Sequence, residues 1–258
     1  MSRRREWITA AVVVVASLAI TGVLLVPFVY INFIKEDAPA AFTLDDTPTT
    51  TAGAAATTAP PAASSPSTSA SSSEGTAASG DAGGSLDGPW TITGTASLVG
   101  YRVVEVLFGQ DTEGVGRTNA VTGQLELAGT EVTTASFTVD MTTVKSDESR
   151  RDNQFNNNLM DTSQFPTATF ELTQPIDLGA EPADGQRISA TATGNLTLRG
   201  TTKAVTIEME AQKTGDTIRV VGSTDIRFSD YGIPEPDAPG ISTQDHGLLE
   251  FDLHFAKG

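Results

Sequence analysis

The sequence predicts an all-β protein: an eight-stranded antiparallel barrel with one helical lid, preceded by a single transmembrane helix and a disordered linker. Three observations carry this reading. Apolar and polar residues alternate with period two through much of residues 87–258, as strands with one buried face require. Breaks at Gly200, at Gly215-Asp216 and at Pro234, Pro236 and Pro239 punctuate the alternation, the mark of turns between strands. Residues 1–86 share neither feature.

The first of the three segments is 1–36, a basic tip and an anchor. No charged residue occurs in 7–34, and at about 1.5 Å per helical residue that run reaches roughly 40 Å, enough for an apolar core of about 30 Å. A secretory signal peptide is the rival, since Ala38-Pro39-Ala40 has the small-x-small look of a cleavage site. Its apolar region is normally only about 7 to 15 residues, however, so an uncleaved anchor is expected. Arg3, Arg4 and Arg5 precede the span and Glu36 and Asp37 follow it. That charge bias keeps the N-terminus cytoplasmic and puts the remainder outside a bacterial cell membrane, as a single-pass protein.

Residues 37–86 are almost wholly Ala, Ser, Thr, Pro and Gly. Few large apolar side chains are present to offset the entropy of ordering the backbone, and prolines interrupt any helix the alanines favour. A disordered linker follows. Residues 87–258 are then the folded domain.

The chain carries 16 Lys and Arg against 32 Asp and Glu, for a net charge of −16, so nucleic acid is not an expected partner. It has no cysteine. Neither a disulfide framework nor a thiolate site is available, and the domain must hold itself together by its core.

In "VTTASFTVDMTTV" the residues Ala135, Phe137, Val139 and Met141 share one face, with Ser136, Thr138, Asp140 and Thr142 opposite. The inward sets of the later strands are Ile188, Ala190, Ala192, Leu196 and Leu198; Val205, Ile207, Met209 and Ala211; Ile218, Val220, Ile226 and Phe228; and Leu249, Phe251, Leu253 and Phe255. Glu250, Asp252 and His254 fall on the outward face. With "WTITGTASLVGYRVVEVLF", "AVTGQLELAG" and "TATFELTQP" the strands number about eight. Closure of eight strands removes exposed edges and leaves an interior wide enough for side chains or one slim ligand. A β-sandwich competes, and the single helix expected around "SDESRRDNQFNNNLM" favours the barrel.

If that segment is helical, Arg151, Phe155 and Leu159 follow at i, i+4 and i+8 and form one stripe able to close the barrel mouth. Ser146 or Asp147 is placed to cap its start, and Asp152 lies where the helix dipole favours negative charge. Catalytic and metal constellations are not expected. His246 and His254 would lie roughly 26 Å apart on an extended strand, too far to share a metal, and no phosphate loop or serine elbow occurs.

The succession "VTTASFTVDMTTVKSDESRRDN", "FPTATFELT", "ATGNLTLRGTTKAVTIEME" and "IRFSDYGI" resembles the YceI-like family of bacterial lipocalin-like proteins. The match runs in order through most of 87–258, and "NLTLRGTTKAVTI" is its most specific block. The resemblance implies a lipocalin-like barrel that holds a polyisoprenoid chain, an isoprenoid quinone or a polyprenyl lipid, as ligand; no other cofactor is expected and, for want of any nucleophile–base pair, no enzyme activity. The chain departs from the family pattern in a first strand without histidines and in Phe155, where many members carry leucine.

On this reading the expected wall is Tyr101, Val103, Phe137, Val139, Met141, Phe170 and Met209. Phe155, Leu159 and Phe165 join it from the helix and the segment beyond, and Arg151 and Asn153 are the candidates for the ligand head group. A filled core is the alternative for the wall, and a structural ion-pair cluster for Arg150, Arg151 and Asp152. The partners expected are the isoprenoid lipid or quinone and the membrane, with a homodimer left open. An envelope scaffold or adhesion module using the barrel surface without ligand is the competing function.

Overall fold

The computed structural model describes residues 38–45, 86–93, 95–107, 109–235 and 241–258. The transmembrane helix expected over 7–34 and most of the linker lie outside these residues. Among the described residues, no helix is long and apolar enough to cross a membrane.

Thirteen strands among the described residues form one sheet with antiparallel pairings throughout. The chain begins with β1 (Gly88–Ile92), β2 (Leu98–Leu107), β3 (Gln110–Thr118), β4 (Val121–Ala128) and β5 (Glu131–Asp140). A 3-10 turn (Met141–Thr143), β6 (Lys145–Ser146), helix α1 (Ser149–Gln154) and a π-helical turn (Phe155–Leu159) follow. Then come β7 (Thr167–Leu172), β8 (Ile176–Asp177), β9 (Arg187–Leu198), β10 (Thr201–Thr214), β11 (Thr217–Arg227), a 3-10 turn (Phe228–Tyr231), β12 (Ile241–Thr243) and β13 (His246–Lys257).

The order β1-β4-β5-β7-β9-β10-β11-β13 returns from β13 to β1 and closes a ring of eight. The expected eight-stranded barrel with one helix is therefore present, and the sandwich is excluded. One expected strand is two. "WTITGTASLVGYRVVEVLF" breaks between Ile92 and Leu98, so β1 pairs with the end of β13 (Trp90 with Lys257) while β2 pairs with its first half (Leu248 with Arg102). The ring thus closes tightly at the β1 end. At the other end β2 carries a ribbon of β3 and β6, and the helix segment follows β6.

Strand β3 escapes a reading by alternation because "QDTEGVGRT" has a single large apolar residue. Its glycines have a different use. A Cβ on Gly116 would lie 2.4 Å from the Tyr101 ring, and one on Gly114 would lie 2.6 Å from a Glu105 carboxylate oxygen. Bare backbone here lets both side chains lie flat across the ribbon.

The lid is part α and part π. The Met160 amide donates to the Phe155 carbonyl at 2.9 Å, five residues back, a one-turn π geometry of the kind found often at functional sites. Its cap is Glu148, whose carboxylate accepts from the Arg150 amide at 3.1 Å, not Ser146 or Asp147 as expected. Asp152 does not simply face the dipole. It accepts from the Ser146 amide and hydroxyl, each at 2.8 Å, and ties the helix to β6.

Outside the barrel the expected linker begins with contact. Residues 38–45 lie along the outer face of the sheet, with Leu44 6% exposed. Leu86, at the linker's other end, is buried in the core, where its carbonyl accepts from the Trp90 indole at 2.8 Å. Glu250 and Asp252, assigned to a solvent-facing row, are accordingly buried at 1% and 7%. Arg102 and Arg117 hold Glu250, at 3.3 and 2.7 Å, and Arg219 holds Asp252 at 2.8 Å. Period two tells one face of a strand from the other, but not whether the outer face is covered. His254 is likewise half-buried and lies 3.2 Å from Asp252.

Candidate ligand-binding site

The barrel encloses a cavity of about 1030 Å³, at the upper end of the roughly 300–1,000 Å³ typical of ligand sites. It extends from the lid, at Arg151, Phe155 and Leu159, to the opposite end, at Leu178 and Pro182. Every inward residue read from the alternation lines it, except Val205, which packs between the two core clusters at either end.

Small side chains on facing strands leave the tube open. Ala135 on β5, Ala168 on β7 and Ala190 and Ala192 on β9 all point inward, where bulkier aliphatics would fill the axis. The large wall residues show the same thing. Tyr101, Val103, Phe137, Val139, Met141, Phe170 and Met209 line the cavity and are only half-buried, because their inner surfaces face open space instead of one another. Phe137 stacks on Phe170 at 6.1 Å and meets Phe255 at 5.9 Å, narrowing the middle of the tube.

At the lid, Phe155 is buried against Tyr101 with ring centroids 5.2 Å apart and planes 11° from parallel. Leu159 lines the cavity beside it, so the expected stripe is present. Met160, which was not anticipated, is also inward and buried, because the π turn carries it back toward the face of Phe155. Arg151 lines this end, yet its guanidinium is already engaged. It donates to both Glu105 oxygens, at 3.3 and 3.1 Å, and to Asp147. Burial alone would lower its pKa, but the hydrogen bonds and charge of Glu105, with the charge of Asp147, outweigh that and raise it. Burial pushes the Tyr101 phenol well above its ordinary range, with Arg151 pulling the other way.

Two expected residues are elsewhere. Asn153 is exposed on the outer side of α1, where its carbonyl accepts from the Asn157 side chain at 3.0 Å. Phe165 lies outside the cavity because a left-handed turn at Asp161 redirects the chain. It packs under the β9–β10 turn, with the Arg199 guanidinium 5.8 Å from its ring. A polar atom no sequence pattern pointed to stands at the lid end: Thr243 Oγ1 is buried without a hydrogen-bond partner among the described residues, and Thr243 lines the cavity.

No group of three or more metal-ligating side chains occurs among the described residues. The interior offers apolar enclosure with a small polar cluster at one end.

The family model of the YceI-like domain matches residues 90–255. This chain belongs to the YceI-like family. A UPF0312 protein of Vibrio parahaemolyticus is 29% identical over 128 residues, a match covering 46% of this chain and 64% of that protein. The chain thus spans less than two thirds of that relative. Among solved structures, a polyisoprenoid-binding domain of Saccharophagus degradans implicated in plant cell wall breakdown superposes with a TM-score of 0.53 at 19% identity. That match covers 66% of this chain and 98% of the domain. BcnA of Burkholderia cenocepacia gives a TM-score of 0.47 at 20% identity, over 60% and 95% of the two chains. The YceI-like match takes in ring strands β4 to β11 complete and most of β1 and β13, and it leaves residues 38–45 outside.

Proposed function

We propose that this chain is a membrane-anchored extracytoplasmic carrier whose barrel holds one isoprenoid chain, as a quinone or a polyprenyl lipid, with no catalytic role. The observation that carries it is the apolar cavity of about 1030 Å³ running from the lid to the far end. A branched hydrocarbon chain inside gains about 25 cal/mol for each Å² taken from water, and needs no special chemistry along its length. The family relationship and the polyisoprenoid-binding domain of Saccharophagus degradans support the same ligand class.

The polar end of the ligand belongs at the lid. Thr243 Oγ1, without a hydrogen-bond partner among the described residues, supplies a hydroxyl there, beside the polar cluster of Arg151, Glu105 and Asp147. The uncharged run 7–34 supports an anchor in a bacterial cell membrane, beside lipids of this class. A filled interior is what the scaffold reading requires, and the open tube favours the carrier. Photoaffinity labelling tests the proposal: the whole 258-residue chain, delipidated and exposed to a photoreactive isoprenoid probe, should crosslink at Phe137, Phe170 and Met209. Unlabelled polyprenyl lipid should compete. Labelling confined to the outer surface would overturn it.

A further inference from the structure

Residues 38–45 cross the outer sheet in one direction, held along the way by arginine side chains of the barrel. The Pro39 carbonyl accepts from Arg102 at 2.6 Å, and the Ala40 carbonyl accepts from Arg117. The Arg117 guanidinium lies 3.9 Å from the Phe42 ring. The Thr43 and Leu44 carbonyls accept from Arg219 at 3.0 and 3.4 Å, and Asp45 pairs with Arg187. These same arginines, Arg187 excepted, hold the buried Glu250 and Asp252 with their remaining donors. The strap therefore completes an ion-pair layer that would otherwise face water.

Its direction is fixed by the strand register. Ala38 and Pro39 share a small cleft with Lys145, Ser146 and Asp147, next to the lid. Asp45 meets Arg187, the first residue of β9, at the opposite end of the barrel. Leu86, where the described chain resumes, packs with Leu127 and Val132 at that same far end.

We propose that this strap seats the barrel with its lidded mouth toward the membrane. The inference rests on the anchored lipid-carrier reading above. Only residues 35–37 separate Ile34, the end of the apolar run, from Ala38. Four Cα steps reach at most about 14 Å. A linker leading straight to β1 would let the barrel tumble tens of ångströms from the bilayer. The docked strap instead presents the end bearing Phe155 and Arg151 to the lipid surface, where a chain can pass into the tube without crossing water. Asp45 and Leu86 both stand at the far end, so the length of chain between them does not set the barrel's distance from the membrane.

The absence of cysteine allows a clean test on the full chain in bacterial phospholipid nanodiscs. One spin label is attached through Asn157→Cys beside the lid, another through Asp216→Cys in the far β10–β11 turn, with gadolinium chelated on the lipid head groups. Relaxation of the label at 157 should exceed that at 216 severalfold. Deleting residues 56–75 should leave the difference intact, and replacing 38–45 with Gly and Ser at equal length should abolish it. Equal relaxation in the unaltered chain, or a difference that survives strap replacement, would overturn the proposal. Failure to enter nanodiscs would overturn it together with the anchor. Organic extraction of the same samples reads the lipid proposal separately, since a lipid-loaded barrel with equal relaxation at both labels sinks the orientation alone.

Discussion

The rings of Tyr101 and Phe155 stack 5.2 Å apart with their planes 11° from parallel, joining the wall strand β2 to the lid. Both stand at the end of the cavity where Glu105 and Arg151 also cross between the same elements. The lid is therefore fastened twice, by an aromatic stack and by a salt bridge.

Phe155→Ala removes the stack and a buried ring. We expect a loss of about 3 kcal/mol, near the lower bound for a buried Phe because the site borders a cavity, and a melting temperature lower by roughly 10 °C. Tyr101→Phe keeps the ring and should change stability by less than about 1 kcal/mol. Thermal unfolding of both variants checks the pair.

Arg151→Gln leaves Glu105 and Asp147 facing each other at the lid. Stability should fall by about 1–3 kcal/mol and bound lipid should leave severalfold faster. The double variant Glu105→Gln/Arg151→Gln should recover part of the loss, giving a coupling energy of roughly 0.5–3 kcal/mol in a double-mutant cycle. Exchange of a labelled lipid and denaturant titrations measure the two quantities.

Val139→Trp projects an indole into the tube from β5. The cavity has room for it, so the domain should remain folded, with unchanged far-ultraviolet circular dichroism and loss of retained lipid. Lipid retained at the unaltered level would count against this wall.

Burial would raise the Asp252 carboxyl, but the hydrogen bonds from His254 and Arg219, with their charges, hold it below the ordinary carboxylate range. A depressed folded pKa contributes stability above the unfolded value of about 3.9, lost as pH falls through the folded value. Wild type should therefore unfold more readily below about pH 4. Asp252→Asn should show a shallower acid dependence in the melting temperature, while Arg219→Ala, which strands a buried carboxylate, should cost about 3–5 kcal/mol at neutral pH.

Alternation made the inner surface legible, since a strand with one buried face cannot hide its period. Phe137, Val139, Met141 and Met209 fall inward by parity alone, and the structure puts all four on the cavity. What alternation could not show lies on the other face. Glu250 and Asp252 read as a solvent row because the strap 38–45, held by the same arginines that pair with them, lies some 200 residues earlier in a stretch whose composition suggests linker. The β3 ribbon was missed because its glycines serve close approach by Tyr101 and Glu105, and so carry no apolar pattern. Phe165 was misplaced by the left-handed turn at Asp161, a conformation uncommon outside glycine. Met160 was missed because a π turn shifts the helical face.

Native mass spectrometry of the full chain, purified from a bacterial envelope in mild detergent, tests the carrier account most directly. The account predicts one bound species of isoprenoid mass per chain, absent from Val139→Trp. A ligand-free protein that stays ligand-free after incubation with quinones and polyprenyl lipids would contradict it.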